Sequence, residues 1–81
     1  MTLQEAIMAD IKTERRAQDM KWGVQTHEPE KWMTILMEEV GETARAVLER
    51  DPKNYYAELV QVAAVCVVAL ECMGRHEEEE G

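Results

Sequence analysis

An all-α fold, with a three-helix protomer that forms an oligomeric helical bundle, is predicted by three features of the chain. Apolar residues recur every three or four positions, no stretch alternates apolar and polar over the length of a strand, and Gly or Pro signals divide the 81 residues into three segments. Thr2 suits the cap of the first helix, whose apolar residues Leu3, Ile7 and Ile11 repeat every four positions until the pattern fades near Met20, before Trp22-Gly23. Glu14 and Gln18 continue that stripe, either as a fraying end or as a lining for a polar cavity. Pro29 opens the second helix, and Met33, Leu36, Met37, Val40, Ala44, Val47 and Leu48 define its apolar, core-facing side. The third helix runs from Pro52, with Asp51 as cap, to about Met73 and stops near Gly74.

The length allows one domain, read as residues 1–76 with an acidic tail at 77–81, and one core worth only about 3–5 kcal/mol. The third helix carries no charge between Leu59 and Leu70, so a lone three-helix protomer cannot easily cover it, and a homodimer or homotetramer is expected. Cys66 and Cys72 lie six apart on different faces of one helix and are read as reduced core thiols. The chain shows no signal-peptide pattern, and the Leu59 to Leu70 run is shorter than the roughly 20 residues of a membrane span, so a soluble cytoplasmic protein without a membrane partner is expected. Net charge is −8, from 17 acidic and 9 basic residues, which disfavours binding to a nucleic-acid polymer. Lys12, Arg15, Arg16 and Lys21 nevertheless place a basic cluster near the end of the first helix, compatible with a small phosphorylated ligand.

The chemistry concentrates in the hairpin of the second and third helices. Measured from the tight Arg50-Asp51-Pro52 turn, Glu42 lies about 12 Å up one arm and Glu58 about 9 Å up the other, at about 1.5 Å per residue. The acidic groups are therefore level across a gap of about 8–10 Å. At about 100° per residue, Glu39 falls among Trp32, Ile35, Thr43 and Ala46, Glu42 lies beside that face, and Glu38 projects closer to the opposite edge. Glu58 heads the apolar stripe of Tyr55, Val62, Val65 and Ala69. Burying like charges together costs several kcal/mol unless a cation joins them. Oxygen-only ligands favour a hard ion, Mg²⁺ first and Mn²⁺ as a substitute. The competing reading pairs these glutamates with Arg45, Arg50 or Lys53 on the surface.

Glu38-Glu39-Val40-Gly41-Glu42 and, after a fifteen-residue spacer, Glu58-Leu59-Val60-Gln61 resemble the MazG-like branch of the all-α nucleoside triphosphate pyrophosphohydrolases, whose pattern is E-x-x-E, a spacer, then E-x-x-D. Glu14-Arg15-Arg16-Ala17-Gln18, Lys21-Trp22-Gly23 and Trp32 are similar to the version in small phage and mobile-element members, so the resemblance covers about Ile11 to Leu70. It implies Mg²⁺-dependent hydrolysis of nucleoside triphosphates to monophosphate and pyrophosphate by an oligomeric bundle. Glu39, Glu42 and Glu58 match the family's metal ligands, Gln61 stands where the fourth, an Asp, is usual, and Glu38 matches a group beside the metal or a base for the attacking water. Gln61 offers a neutral carbonyl oxygen in place of a charge, which weakens the expected hold on the metal.

Phosphoryl transfer needs cations at the phosphate oxygens, and Lys21, Lys31 and Lys53 are candidates set against a plain surface role. Trp22 and Trp32 offer indole faces for a base, with a core or interface role as the alternative for Trp32. Two rival readings stand beside the enzyme: a weakened homologue that binds nucleotide or a protein partner without turnover, and a structural helical dimer.

Overall fold

The computed structural model describes the backbone of residues 1–80 and the side chains of residues 1–75. Its elements are α1 (Leu3–Trp22), α2 (Pro29–Leu48) and α3 (Pro52–Glu80), with no strand among the described residues. The all-helical expectation is met, and the local signals act as read. Thr2 Oγ1 accepts from the Glu5 N–H at 3.1 Å while the Glu5 carboxylate accepts from the Thr2 N–H at 3.0 Å, closing both ends of a capping box. At the other end of α1, Gly23 takes φ 73 and donates its N–H to the Asp19 carbonyl at 2.8 Å. That backbone conformation is open to glycine at little cost.

The hairpin turn is equally tight. The Asp51 N–H reaches the Ala46 carbonyl at 3.1 Å, with Arg50 left-handed at φ 54 between them, and the Asp51 carboxylate then accepts from the Asn54 N–H at 3.1 Å to start α3. A non-glycine residue held left-handed costs about 1–2 kcal/mol, which the closed turn has to offset.

Two expectations from the sequence need correction. The third helix does not stop at Gly74: it continues to Glu80, so the segment read as an acidic tail is helical in its backbone, although its side chains and Gly81 lie outside the described residues. The reason is tertiary, because Cys72 Sγ donates to the His27 carbonyl at 3.6 Å and Arg75 Nη2 to the Gln25 carbonyl at 3.0 Å. The α1–α2 loop thereby holds this part of α3 in place, and one glycine's propensity of about 1 kcal/mol does not decide the matter.

The second correction concerns α2. The side that turns inward holds Trp32, Thr43 and Ala46, whereas Met33, Met37, Val40, Val47 and Leu48, read as facing the core, are exposed. Cys66 is likewise exposed, while Cys72 is the buried thiol expected.

α3 is the central helix: α1 and α2 each pack on it and not on one another. Its core with α2 is small, made of Trp32, Val65, Val68 and Cys72 with Ile35, Leu36 and Ala69 against them, and no large side chain is completely buried. α1 is fastened by polar contacts. Buried Arg15 donates from Nε to Glu71 at 2.8 Å and from Nη2 to Asp19 at 3.0 Å, and the Tyr56 hydroxyl donates to Asp10 at 2.6 Å.

The exposed apolar residues of the hairpin form two seams. Met33, Met37, Val40 and Val47 lie about a quarter turn beyond the inward side of α2, and Tyr55, Leu59, Cys66, Leu70 and Met73 lie about as far beyond the α2-facing side of α3. Because the helices are antiparallel, equal rotations in the winding sense bring both seams to one side of the hairpin, facing away from α1. By length and composition, Pro52–Arg75 could also cross a membrane, a wider window than the Leu59 to Leu70 run suggests. Within it, however, Glu58 turns inward and Glu71 pairs with Arg15.

Candidate metal centre and adjoining cleft

The inward side of α2 presents Glu39 and, about 60° round the helix, Glu42; α3 meets them with Glu58. Each offers a carboxylate oxygen, and these oxygens lie within 4.8 Å of one another. Two oxygens opposite each other on one Mg²⁺ are about 4.2 Å apart, at about 2.1 Å per bond. Adjacent ligands are closer, about 3.0 Å, so the three oxygens would have to draw together to enclose such an ion. Thr43, one turn beyond Glu39, turns its hydroxyl back to the Glu39 carbonyl at 2.8 Å and so adds no competing donor to the carboxylates.

Two observations separate this cluster from a solvated acidic patch. Glu39 Oε2 and Glu58 Oε2 are buried and have no hydrogen-bond partner. An acceptor left this way costs about 1–3 kcal/mol, and more when it is charged. The protonation equilibria record the same conflict: burial, then the charges of Glu42 and Glu58, push the Glu39 carboxyl up to about 7. Burial and Glu42 also raise Glu58. No lysine or arginine forms an ion pair with any of the three, so the surface pairing with Arg45, Arg50 or Lys53 is not what the described residues adopt. The chemistry of the donor set fits a hard divalent cation.

The other site candidates distribute unevenly. Gln61 is half-buried three residues beyond Glu58, on the same inward side of α3. Glu38 is exposed and lies outside the trio, next to Met33, Thr34 and Met37. Trp32 is buried in the core, as its alternative role required, yet it also walls a cleft of about 140 Å³. This cleft opens where α1 and α2 fail to meet, over Val65 and Val68 of α3; Ile35, Arg15, Gln18, Asp19, Trp22 and Gln25 surround it and Glu39 joins it to the acidic trio. Lys21 does not line it but lies beside it, with Nζ 4.9 Å from the centre of the Trp22 ring. Lys31 and Lys53 are exposed and do not line it.

Sequence reasoning missed Arg15 as an organiser and placed it in a surface basic cluster. Burial alone would lower its pKa, but hydrogen bonds and charge from Glu71 and Asp19 outweigh that and hold the guanidinium above its ordinary value. The signal was present, since Ile7, Ile11 and Arg15 continue the four-residue spacing of the inward stripe. Gln18, read as either frayed or cavity-lining, lines the cleft, and its Oε1 accepts from Arg15 Nη1 at 3.1 Å.

Comparison with protein-family models, with curated proteins and with solved structures finds no match to this chain.

Proposed function

We propose that the protein is a Mg²⁺-dependent nucleotide pyrophosphohydrolase of the MazG-like type, converting (d)NTP to (d)NMP and pyrophosphate in the cytoplasm. The observation that carries this reading is the Glu39–Glu42–Glu58 trio, in which half-buried Glu39 and Glu58 each keep an unpartnered buried oxygen, beside a cleft that Glu39 also lines. Glu39, Glu42 and Glu58 hold the cation, and Gln61 adds a neutral oxygen from one turn along α3. Bound Mg²⁺ supplies charge neutralisation at the phosphate oxygens. Lys21, stacked beside Trp22, adds a second positive charge, and Trp22 with Trp32 flanks the base, whereas Glu38, exposed and outside the trio, is left without a role at the attacking water. Lys31 and Lys53 have no assigned contact.

The test is incubation with a panel of nucleoside triphosphates and Mg²⁺ while pyrophosphate is assayed. Release from at least one nucleotide, abolished by EDTA, is the expected result. Mg²⁺-dependent nucleotide binding without turnover would identify a weakened homologue instead, for which the neutral Gln61 is the motive.

The same reading takes the working unit to be a homo-oligomer assembled on the apolar face of the hairpin. Side chains as large as Met33, Met37, Leu70 and Met73, each more than half exposed, present an area of the order of the ~800 Å² per partner of a standard interface. The two seams carry no charge, so a second copy can meet them without opposing like charges. Sedimentation should give a dimer or tetramer at micromolar concentration, and Leu70→Lys with Met37→Lys should shift it to monomer. A folded wild-type monomer would remove this part of the reading.

A further inference from the structure

We propose that the cleft beside the acidic trio selects guanine among the common bases, through Asp19 and Gln18. The inference deepens the nucleotide reading above and rests on it for the class of ligand, but the base edge is argued from the cleft's own polar groups.

The cleft is apolar below, with Val65 and Val68, and walled by Trp32 and Ile35, so a flat heterocycle is the shape it accommodates. Its hydrogen-bonding character is fixed from one side by Arg15. The guanidinium donates to Asp19 Oδ1 at 3.0 Å and to Gln18 Oε1 at 3.1 Å, while a third bond, to Glu71 at 2.8 Å, anchors it to α3. Because Gln18 spends its oxygen on Arg15, the amide group left over is its donor, which makes only a long 3.5 Å contact with Glu14. Asp19 keeps a second carboxylate oxygen and is acceptor-only. The cleft thus offers, one residue apart on one helix, a donor and a carboxylate whose Oδ2 is free and whose Oδ1, already accepting from Arg15, has a second lone pair.

Guanine presents the complement. Its N1–H and 2-amino group are adjacent donors that a carboxylate can take in a bidentate pair, and O6 beside them accepts from an amide. Adenine places the N1 acceptor where guanine has N1–H and so faces the carboxylate with a lone pair. Cytosine has a donor only at N4, and uracil or thymine has one N–H between two oxygens. Trp22, at the rim and 62% exposed, offers an indole face to the ring.

The chain has two tryptophans, Trp22 and Trp32, and both line the cleft, so quenching of intrinsic fluorescence reports occupancy without turnover and without metal. Wild-type protein titrated with nucleoside monophosphates should saturate with GMP at concentrations at least about tenfold below IMP, which lacks the 2-amino group, and below AMP and XMP. Asp19→Asn should reverse the order toward XMP, whose 2-oxo group accepts from the new amide, while Arg15 keeps Glu71 and Gln18. Gln18→Leu, which leaves the ion pairs intact, should weaken GMP binding without favouring XMP. Equal affinities for GMP, IMP and AMP in the wild type, or an unchanged ranking in a folded Asp19→Asn protein, would overturn the proposal. Pyrophosphate release from all nucleotides alike would retain the enzyme and discard the guanine preference. GMP selectivity reversed by Asp19→Asn, in a protein that releases no pyrophosphate, would do the opposite.

Discussion

Glu39→Gln should cut pyrophosphate release by roughly 10³-fold and, in the same protein without metal, raise thermal stability above pH 7. The two effects have one origin. In the proposed enzyme Glu39 supplies the metal site with a charge that the metal-free fold accommodates poorly: its Oε2 is buried without a partner, and its carboxyl is pushed up to about 7 by burial and by Glu42 and Glu58. A cation at a phosphoryl centre contributes several kcal/mol of charge stabilisation, and about 1.4 kcal/mol is a decade in rate, which gives the thousandfold figure.

The sign of the stability effect follows from proton linkage. The unfolded chain releases the Glu39 proton near the ordinary value of 4.5, and the folded chain releases it near 7. Between those values the native state binds more protons, so stability falls as pH rises through this window and is lowest above it. The elevated Glu58 acts in the same direction. Glutamine cannot ionise, so the variant should show a flatter profile, and each kcal/mol recovered is worth about 4–8 °C in a domain of this size. Mg²⁺ provides the control: at a hundredfold excess over its dissociation constant it should stabilise the wild type by about 2.7 kcal/mol and leave Glu39→Gln nearly unmoved. Melting curves at pH 5 and pH 8, with and without Mg²⁺, read all of these outcomes. A wild type whose midpoint is independent of pH and of Mg²⁺ would refute the account.

The elements that act locally were the legible ones. Thr2 with Glu5, Pro29, and Asp51 with Pro52 set helix starts by short-range bonds that a few residues of sequence contain, and all three starts lie where those residues place them. The inward turn of Glu39 and Glu58 was legible for a related reason: helix phase puts each on a side with few other charges, and the tight hairpin fixes the level at which the two arms meet. What phase alone could not decide was which of two apolar sides of α2 the single chain would bury. The side holding Met33, Met37 and Val40 is the more apolar, but the short turn and the Trp32–Val65–Val68 contact orient the other side toward α3. Gly74 was misjudged because its effect is local, whereas the bonds from Cys72 and Arg75 to the loop come from residues about 45 and 50 positions away.

Arg15→Ala should lower stability by about 2–3 kcal/mol, a fall in melting temperature of about 10–20 °C, yet change Mg²⁺ affinity less than tenfold. Breaking a buried ion pair ordinarily costs about 3–5 kcal/mol, because the partner is stranded in the interior. Here the partners are not stranded: the Asp19 and Glu71 side chains are 48% and 46% exposed and rehydrate when the guanidinium is removed. The loss is then that of three hydrogen bonds made by one charged group, together with the packing of its stem. Arg15→Lys keeps the charge but not the fork that reaches Glu71, Gln18 and Asp19 together, so it should recover less than half of the loss. The proposed metal ligands respond differently because they belong to α2 and α3, which stay joined through Trp32, Val65 and Val68 when α1 loosens. Water admitted beside Glu39 should also lower its elevated pKa, so the pH dependence of the melting temperature should shrink as the midpoint falls. Matched losses of stability and Mg²⁺ affinity would mean that α1 positions the carboxylates, contrary to the arrangement in which it closes only the cleft.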